Sequence, residues 1–426
     1  MKRRFFLRTL GCKLNQADTG LLASELEARG LEATTRPEEA DLVVVNTCTV
    51  THRADADGRR LLRRLRRLNP GARLVAMGCY ARRDPRALEQ IPGVDLVSAG
   101  SSAAPVVAEA ERAFGAELTA VRDPYHSLPA ATGRTRAFLK VQDGCNLTCS
   151  YCIIPVVRGR SRSLPLAGLV TSLQRLVDAG FVEVVLTGVN TGDYGKDLPE
   201  GGSLRSLLEQ LCRVAGLGRL RLNSLEPRSL DPDLVSFLAA SERIAPHLQI
   251  PLQSGSDRIL KRMRRNYRRG FYLDLLESLE ARIPDVGLGA DVMVGFPGET
   301  DADFALTESL IRESPLAYLH VFSYSPRPGT AAAGCGETVP AAVIRERAAR
   351  LRALGAAKAE AFRRQFVGRS LEAITLEAES KKHGLRALTG NFFEVTLPAG
   401  AAPGNRLVGV RILRVDPQGA SGILAA

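Results

Sequence analysis

The segment DGCNLTCSYCIIP, Asp143–Pro155, places three cysteines within eight residues: Cys145, Cys149 and Cys152. A structural zinc site has four ligands in a closed tetrahedron, usually supplied as two C-x2-C pairs. A [4Fe–4S] cluster is also held by four cysteines in most proteins. Three neighbouring thiolates without a fourth beside them therefore predict a cluster with one iron left open to a ligand that is not protein.

A second set of cysteines follows three apolar runs in the first part of the chain. Cys12, Cys48 and Cys79 stand in LGCKLN, VNTCTV and AMGCYA, directly after predicted strands. Helical patterns at Gln16–Arg29 and Asp55–Leu68 separate these strands, and this alternation indicates a parallel α/β sheet. Ligands of such sheets collect at the carboxyl ends of the strands, so we expect the three thiols to meet there. Buried core cysteines are the alternative, but positions just past a strand favour ligands. The strands are predicted at Arg4–Leu10, Leu42–Asn46 and Leu74–Met77.

The length of 426 residues predicts several domains. Residues 1–120 are expected to form a Rossmann-like α/β domain, and residues 121–136, rich in Pro and Ala, a linker. Six strand–helix repeats over residues 137–366 predict a (β/α)6 partial barrel, with its active site at the carboxyl ends of the strands. Short alternating strands between glycines in residues 367–426 predict a small β-barrel. The six strands are predicted at Ala137–Gln142, Val182–Thr187, Arg219–Ser224, His247–Pro251, Gly287–Val294 and Ala317–Phe322.

Charge is unevenly distributed along the chain, whose net charge is +12. Residues 52–73 carry eight Arg against two Asp, and residues 258–282 carry eight Lys or Arg against three acids. Solvated helix faces are one interpretation, and two such stretches favour binding of RNA or DNA. The absence of a run of 18 apolar residues argues against a membrane span. Eight cysteines without a signal peptide fit a cytoplasmic protein that binds metal.

The pattern C-x3-C-x2-C, with the aromatic Tyr151 before its last cysteine, resembles the radical S-adenosylmethionine (SAM) superfamily. In that superfamily three thiolates hold a [4Fe–4S] cluster, and SAM binds the fourth iron. The whole chain resembles the methylthiotransferases of the superfamily, which join a domain with three further cysteines, a radical SAM barrel and a terminal barrel called TRAM. The resemblance lies in TLGCKLNQADT, VVNTCTVTHRAD, AMGCYA, GCNLTCSYCIIPVVRGRSRS, LTGVNTGDYG, RLNSLEP, HLQIPLQSGSDRILKRMRRNY, DVMVGFPGET and FSYSPRPGT.

The resemblance implies two [4Fe–4S] clusters and SAM as cofactors. One cluster would be bound by Cys145, Cys149 and Cys152, and the second by Cys12, Cys48 and Cys79. Asn15 and Lys13 are expected beside the second cluster or the substrate base, whereas Cys212 and Cys335 match no motif. Residues at the ends of successive strands, with an aromatic residue of the cysteine loop, are expected to contact SAM unless they only shape turns: Gly188, Ser224, Glu226, Gln249 and Tyr151.

The substrate that the resemblance implies is adenosine 37 in the anticodon loop of a tRNA. Its C2 hydrogen is not acidic, so replacing it with sulfur needs radical chemistry from a cofactor. GCKLN and TCTVTHRAD resemble the branch that acts on N6-threonylcarbamoyladenosine, whereas the isopentenyladenosine branch reads GCQMN. Lys13, His52 and Arg53 would pair with the threonylcarbamoyl carboxylate.

Three alternatives remain open from the sequence. The chain could act on isopentenyladenosine 37, or on an aspartate of a ribosomal protein, although that branch typically reads GCPKN. It could also be a zinc-dependent RNA-binding protein without catalysis, which would leave the two sets of three cysteines unexplained. For the methylthiotransferase we expect a monomer reduced by an electron donor such as flavodoxin or ferredoxin.

Overall fold

A computed structural model describes residues 2–115, 135–376 and 384–425. The predicted linker, residues 121–136, lies outside the described residues except for its last two. Among the helices of the described residues, none is both long enough and apolar enough to cross a lipid bilayer.

The N-terminal domain is a five-stranded parallel sheet in the order β2-β1-β3-β4-β5. The central strand, LVVVNT, is buried along its whole length, as expected for a parallel sheet covered on both faces. Leu22 and Leu26 of α1 pack on one face with Val106 of α5, and Leu62 of α2 packs on the other with Leu88 of α4. The elements are β1 Arg4–Thr9, α1 Lys13–Glu27, β2 Glu32–Ala33, β3 Leu42–Thr47, α2 His52–Leu68, β4 Arg73–Gly78, α3 Cys79–Arg83, α4 Pro85–Glu89, β5 Leu96–Ala99 and α5 Ala104–Phe114.

The central domain contains six parallel strands in sequence order, as predicted. Two three-stranded sheets, β6-β9-β10 and β11-β12-β13, are joined where the Leu220 N–H donates to the Arg243 carbonyl at 2.7 Å and the Ala245 N–H donates to the Leu220 carbonyl at 2.8 Å. Its elements are β6 Ala137–Lys140, β7 Gln142–Asp143, α6 Ile154–Arg158, β8 Arg162–Ser163, α7 Leu166–Asp178, β9 Glu183–Thr187, α8 Leu204–Cys212, β10 Arg219–Leu222, α9 Pro232–Ala240, β11 His247–Gln249, α10 Asp257–Arg262, α11 Arg269–Arg282, β12 Gly287–Val294, α12 Asp301–Glu313, β13 Tyr318–Ser323 and α13 Ala341–Arg364.

One predicted helix of this domain is wrong. A single helical segment over residues 256–282 is expected, and the structure has α10 and α11 separated by residues 263–268. Arg264 has a φ of 57°, a left-handed conformation that cannot continue a helix. The break leaves the cationic side chains of this segment on two differently oriented elements.

The C-terminal domain is a closed barrel in the order β14-β15-β16-β18-β17. Leu385, Val395 and Ile412 are among the buried residues that fill it, and Phe366, just past α13, packs against them. Its strands are β14 Ser370–Thr375, β15 Leu385–Thr389, β16 Glu394–Leu397, β17 Leu407–Asp416 and β18 Gly419–Leu424.

The turn between β15 and β16, residues 389–393, is called here the Phe392 hairpin. It packs against the amino-terminal ends of the central strands, where Arg221 donates to the carbonyls of Gly390 at 2.8 Å and Thr389 at 3.1 Å. The Phe392 ring stacks on His247 with 4.2 Å between ring centres. Phe392 has a φ of 75°, a conformation uncommon for a bulky residue and maintained by these contacts. The C-terminal barrel is thus anchored inside the central domain.

Candidate functional site

The first cysteine loop begins directly after β7, where a glycine permits a tight turn. Gly144 has a φ of 70°, and a Cβ there would lie 2.0 Å from the Arg160 carbonyl oxygen. The Gln142 amide donates to the Gly144 carbonyl at 2.7 Å and to the Ser161 hydroxyl at 2.8 Å. The loop is therefore fixed at its base, and Cys145, Cys149 and Cys152 follow on it.

The thiols of this loop are buried or partly buried. Burial raises the pKa of Cys145 and raises that of Cys152 to about 12. The Leu147 N–H donates to Cys145 Sγ at 3.4 Å, and Arg265 Nη1 donates to Cys149 Sγ at 3.3 Å. N–H donors and a guanidinium stabilise sulfur that carries negative charge, so the donor set fits three iron-bound thiolates. In the part of the chain that the structure describes, no three Cys, His, Asp or Glu are arranged to hold a single metal ion.

Two of the expected SAM-contacting residues shape one turn of the site. A Cβ on Gly188 would lie 2.8 Å from Gln142 Oε1, which accepts hydrogen bonds from the next two backbone N–H groups at 2.9 and 3.0 Å. The Thr191 hydroxyl donates to the Ser224 carbonyl at 3.3 Å. The ends of β9 and β10 are thereby joined beside the cysteine loop.

Glu226 has a buried oxygen that lacks a partner in the described part of the chain. Arg265 Nη2 bonds to its Oε1, whereas Oε2 is buried without a hydrogen bond. Burial raises the pKa of Glu226 despite the neighbouring guanidinium. A buried carboxylate oxygen of this kind fits the ammonium group of SAM.

The other two residues expected to contact SAM, Gln249 and Tyr151, interact with neighbouring side chains of the protein. Gln249 Nε2 donates to Asp291 Oδ1 at 2.7 Å and lies 3.1 Å from His320 Nδ1. Tyr151 packs against Ile259, Met263 and Phe296, and burial raises its pKa well above the usual value, so its hydroxyl stays neutral. These two residues thus support the walls of the site in this structure.

The second set of cysteines meets at the carboxyl edge of the N-terminal sheet, as predicted. Gly11 has a φ of 104°, and a Cβ there would lie 2.8 Å from the Cβ of Cys48, so the turn after β1 needs glycine. Cys12 Sγ lies 3.8 Å and Cys79 Sγ 3.9 Å from the same oxygen, Oδ1 of the buried Asn15. Burial raises the pKa of Cys48 and raises that of Cys79 to about 11.

Asn15 is also part of a buried ion network that joins the first two domains. Arg158 Nη2 donates to Asn15 Oδ1 at 2.6 Å and to Asp18 Oδ2 at 2.9 Å, and its Nη1 donates to Asp143 Oδ1 at 3.0 Å. Lys140 Nζ pairs with the same two aspartates, at 2.7 and 2.6 Å. Two cations and two carboxylates therefore neutralise each other between the cysteine sites. This network was not predicted from the sequence, although the arginine that ends the apolar run CIIPVVR was a signal for it.

The two cysteine sites lie on either side of α6. Cys79 packs against Ile153 and Val157, and Ile153 directly follows Cys152 in the chain. Arg158, the last residue of the same helix, contacts Asn15. One short helix therefore separates a site on the central domain from a site on the N-terminal domain.

Lys13 reaches into the lumen, the space bounded by the inner face of the six central strands. Its Nζ donates to Asn223 Oδ1 at 3.2 Å and lies 5.7 Å from the centre of the Phe392 ring. Burial lowers the pKa of Lys13 to about 8, and Arg136 and Arg221 act in the same direction. Asp291 and Glu183 act in the opposite direction and raise that pKa.

The other two cations expected near the substrate lie elsewhere. His52 and Arg53 are exposed at the start of α2, and the Arg53 side chain is 92% exposed beside Asp57. Their approach to a substrate carboxylate stays a prediction: the start of α2 lies beside the central domain, where the His52 N–H donates to the Ser325 hydroxyl at 3.2 Å, two residues past the carboxyl end of β13. Only Lys13 of the three enters the lumen.

Comparison with known proteins matches both cysteine-bearing domains. Residues 4–99 match the "Uncharacterized protein family UPF0004", and residues 139–311 match the "Radical SAM superfamily". The chain is 38% identical over 418 residues to "Threonylcarbamoyladenosine tRNA methylthiotransferase MtaB" of Bacillus subtilis, covering 95% of this chain and 93% of that one. It is 36% identical over 428 residues to "tRNA-2-methylthio-N(6)-dimethylallyladenosine synthase" of Acidothermus cellulolyticus, covering 97% and 84%.

A solved structure shares the fold at low sequence identity. The radical S-adenosylmethionine methyltransferase TsrM from Kitasatospora setae superimposes with a TM-score of 0.54 and 17% identity, covering 78% of this chain and 77% of that one. Since more than a third of its residues are shared with the two tRNA-modifying relatives over almost its full length, the chain belongs to the radical SAM tRNA methylthiotransferase family.

Proposed function

We propose that this enzyme converts N6-threonylcarbamoyladenosine 37 of tRNA to its 2-methylthio form, with two [4Fe–4S] clusters and SAM. Overall identity does not separate the substrate branches, since relatives with threonylcarbamoyl names are 35 to 38% identical and relatives with dimethylallyl names 35 to 37%. The observation that carries the proposal is the position of Lys13 in the lumen.

Lys13 provides hydrogen-bond donors that suit a substrate carboxylate. A lysine ammonium has three N–H donors, and Lys13 uses one of them, toward Asn223. Burial and the neighbouring Arg136 and Arg221 disfavour its positive charge more than Asp291 and Glu183 favour it, since its pKa is lowered to about 8. An anionic group in the lumen would relieve that repulsion, whereas an isopentenyl group would leave the buried donors without an acceptor.

The residues of this chain divide the remaining tasks. Cys145, Cys149 and Cys152 would hold the cluster that binds SAM, and Glu226 Oε2 would accept a hydrogen bond from the SAM ammonium. Asn15, fixed by Arg158, would orient Cys12 and Cys79 around the second cluster. When bound, these cofactors supply the radical and sulfur chemistry that no side chain provides. An electron donor such as flavodoxin or ferredoxin would be needed for turnover.

The substrate is tested by nucleoside mass spectrometry of tRNA from a strain that lacks its own methylthiotransferases. Expression of this enzyme is expected to produce the 2-methylthio form of threonylcarbamoyladenosine. Formation of the dimethylallyl product alone would contradict the proposal, and so would modification of a ribosomal protein with unmodified tRNA.

The role of Lys13 is tested separately with purified enzyme. Lys13→Gln removes one charge-assisted hydrogen bond and is expected to raise the KM for tRNA about 10- to 100-fold, while Lys13→Arg retains much of the affinity. SAM cleavage without tRNA should be equal in both variants. A Lys13→Gln enzyme with an unchanged KM would remove this residue from substrate recognition.

Cluster content is tested by iron analysis after anaerobic reconstitution. Two clusters correspond to about eight irons per chain. Joint replacement of Cys145, Cys149 and Cys152 by Ala should halve the iron and abolish SAM cleavage. Matched replacement of Cys212 and Cys335 should leave the iron content unchanged, and full iron in the triple variant would refute the ligand assignment.

A further inference from the structure

A basic groove of 890 Å³ lies on the surface of the central domain beside the first cysteine loop. It is formed by α10, the segment between α10 and α11, and the first turn of α11, and its cations are Arg228, Arg258, Lys261, Arg265 and Arg268. Lys261 and Arg268 are exposed, and the side chain of neither forms an ion pair or a hydrogen bond with a described residue. Their unneutralised charge attracts an anionic partner.

The groove reaches the cysteine loop through Arg265. This side chain lines the groove, and its guanidinium donates to Cys149 Sγ at 3.3 Å. The loop is also bonded to the end of α10: the Ser150 N–H donates to the Met263 carbonyl at 3.1 Å and the Ser150 hydroxyl donates to the Arg262 carbonyl at 2.8 Å. A partner seated in the groove is therefore separated from a cluster ligand by one side chain.

The composition of the groove fits a protein partner better than RNA. Phe271 is 36% exposed, and the Arg228 guanidinium lies 4.7 Å from the centre of its ring. Exposed aromatic and arginine side chains are enriched at protein–protein interfaces. Asp257 also lines the groove, where its Oδ1 accepts a hydrogen bond from the Arg269 N–H, and the five cations of the groove outnumber it.

The C-terminal barrel belongs to a class of small barrels that often bind nucleic acid, and we expect it to help hold tRNA away from the groove. The C-terminal barrel contacts the amino-terminal ends of the central strands, through Arg221 and through Gly287, where an added Cβ would lie 2.1 Å from the Asn391 carbonyl oxygen. The groove instead follows the carboxyl end of β11, since α10 begins eight residues after that strand. A partner in the groove and a tRNA on the barrel would approach opposite ends of the sheet.

We propose that the basic groove docks a small acidic electron-transfer protein that reduces the iron–sulfur site of the first cysteine loop. This inference rests on the proposed function, which needs such a donor. One electron passes from the donor to the site, the donor is oxidised by one electron, and no proton or atom is transferred. Arg265 lies between the groove and Cys149 and so provides a short route for the electron. The free charges of Lys261 and Arg268 steer an acidic partner to the groove.

The test uses flavodoxin, an acidic flavoprotein, as the probe. A Lys261→Glu/Arg268→Glu variant should bind oxidised flavodoxin at least about tenfold more weakly at low salt, and flavodoxin-driven SAM cleavage should fall in parallel. Cleavage driven by dithionite, which needs no docking surface, should equal that of the wild type. A Lys261→Arg/Arg268→Lys variant retains both charges and should behave as the wild type.

Each other outcome overturns the inference. If the glutamate variant lost tRNA affinity but bound flavodoxin as the wild type does, the groove would be assigned to RNA. If its affinities for flavodoxin and for tRNA were both unchanged, the groove would bind neither partner. Absence of flavodoxin binding to the wild type would also refute it. The proposed function fails by a different result, namely the absence of dithionite-driven SAM cleavage by the wild type.

Discussion

Glu183 is the carboxylate on which the junction between the central domain and the C-terminal barrel depends. Its side chain is completely buried, and its oxygens accept hydrogen bonds from Arg219 at 2.8 Å and from Arg221 at 2.9 Å. Those two guanidiniums in turn donate to the carbonyls of residues 388–390. Burial lowers the pKa of Arg221 even beside Glu183, which shows that burying this ion pair costs desolvation energy. Removing one partner would cost more, because it would leave an unpaired charge in the interior.

The replacement Glu183→Gln retains the shape of the side chain and removes its charge. Burial alone would raise the pKa of Glu183, but Arg221 and Arg219 outweigh it and lower the pKa from 4.5 to about 2. This difference corresponds to about 3 kcal/mol of stability. Because the folded-state pKa is the lower one, the stabilisation is complete above pH 4.5 and is lost as the pH falls toward 2.

Hydrogen–deuterium exchange of peptides covering β9, β10 and the Phe392 hairpin measures the effect. Exchange in Glu183→Gln at neutral pH should be about a hundredfold faster, and the variant should lack the acid-dependent loss of protection that we expect for the wild type. The control is Glu372→Gln, which removes an exposed partner of Arg219 and should cost less than about 1 kcal/mol. Equal exchange in wild type and Glu183→Gln would refute the reasoning.

Further predictions concern the domain contacts and the RNA surface. Phe392→Ala should raise exchange in the hairpin and the KM for tRNA together, and Phe392→Tyr should restore both. Asp18→Asn leaves two buried cations sharing one carboxylate, and should lower the unfolding free energy by about 3–5 kcal/mol in thermal denaturation. Charge reversal at Arg63, Arg64 and Arg67, all exposed on α2, should reduce the salt dependence of tRNA binding by roughly one log unit of slope per lost phosphate contact; an unchanged slope would make α2 a solvated surface.

The sequence predicts the parts of this enzyme that depend on local pattern. The six central strands could be placed because each is a short apolar run followed by a turn, and the convergence of Cys12, Cys48 and Cys79 follows from parallel-sheet topology. Several strands were missed, namely β2, β5, β7, β8, β15 and β18. Three of them, β2, β7 and β8, have only two residues, and β18, GASGIL, has little β-branched character.

Contacts between distant segments could not be predicted from the same patterns. Arg158 and Asp18 are 140 positions apart, and their pairing depends on how two domains dock. The sequence also predicted the C-terminal barrel as a separate domain, whereas its Phe392 hairpin packs against His247 of the central domain and lies near Lys13 of the N-terminal domain. The sequence also could not predict which of Lys13, His52 and Arg53 is buried, because that depends on how the start of each helix packs against the central domain.

The Phe392 hairpin also has a consequence for the order in which the protein is made. A ribosome completes β13 at Ser323 well before it reaches Phe392, 69 residues later. At roughly 5–20 residues per second, the central strands are available for about 3 to 14 s before the segment that seals them exists. During that interval Arg221 lacks two of its acceptors, the carbonyls of Thr389 and Gly390, and His247 lacks the Phe392 ring that stacks on it. We therefore expect this end of the nascent central domain to stay exposed to solvent until the last barrel emerges.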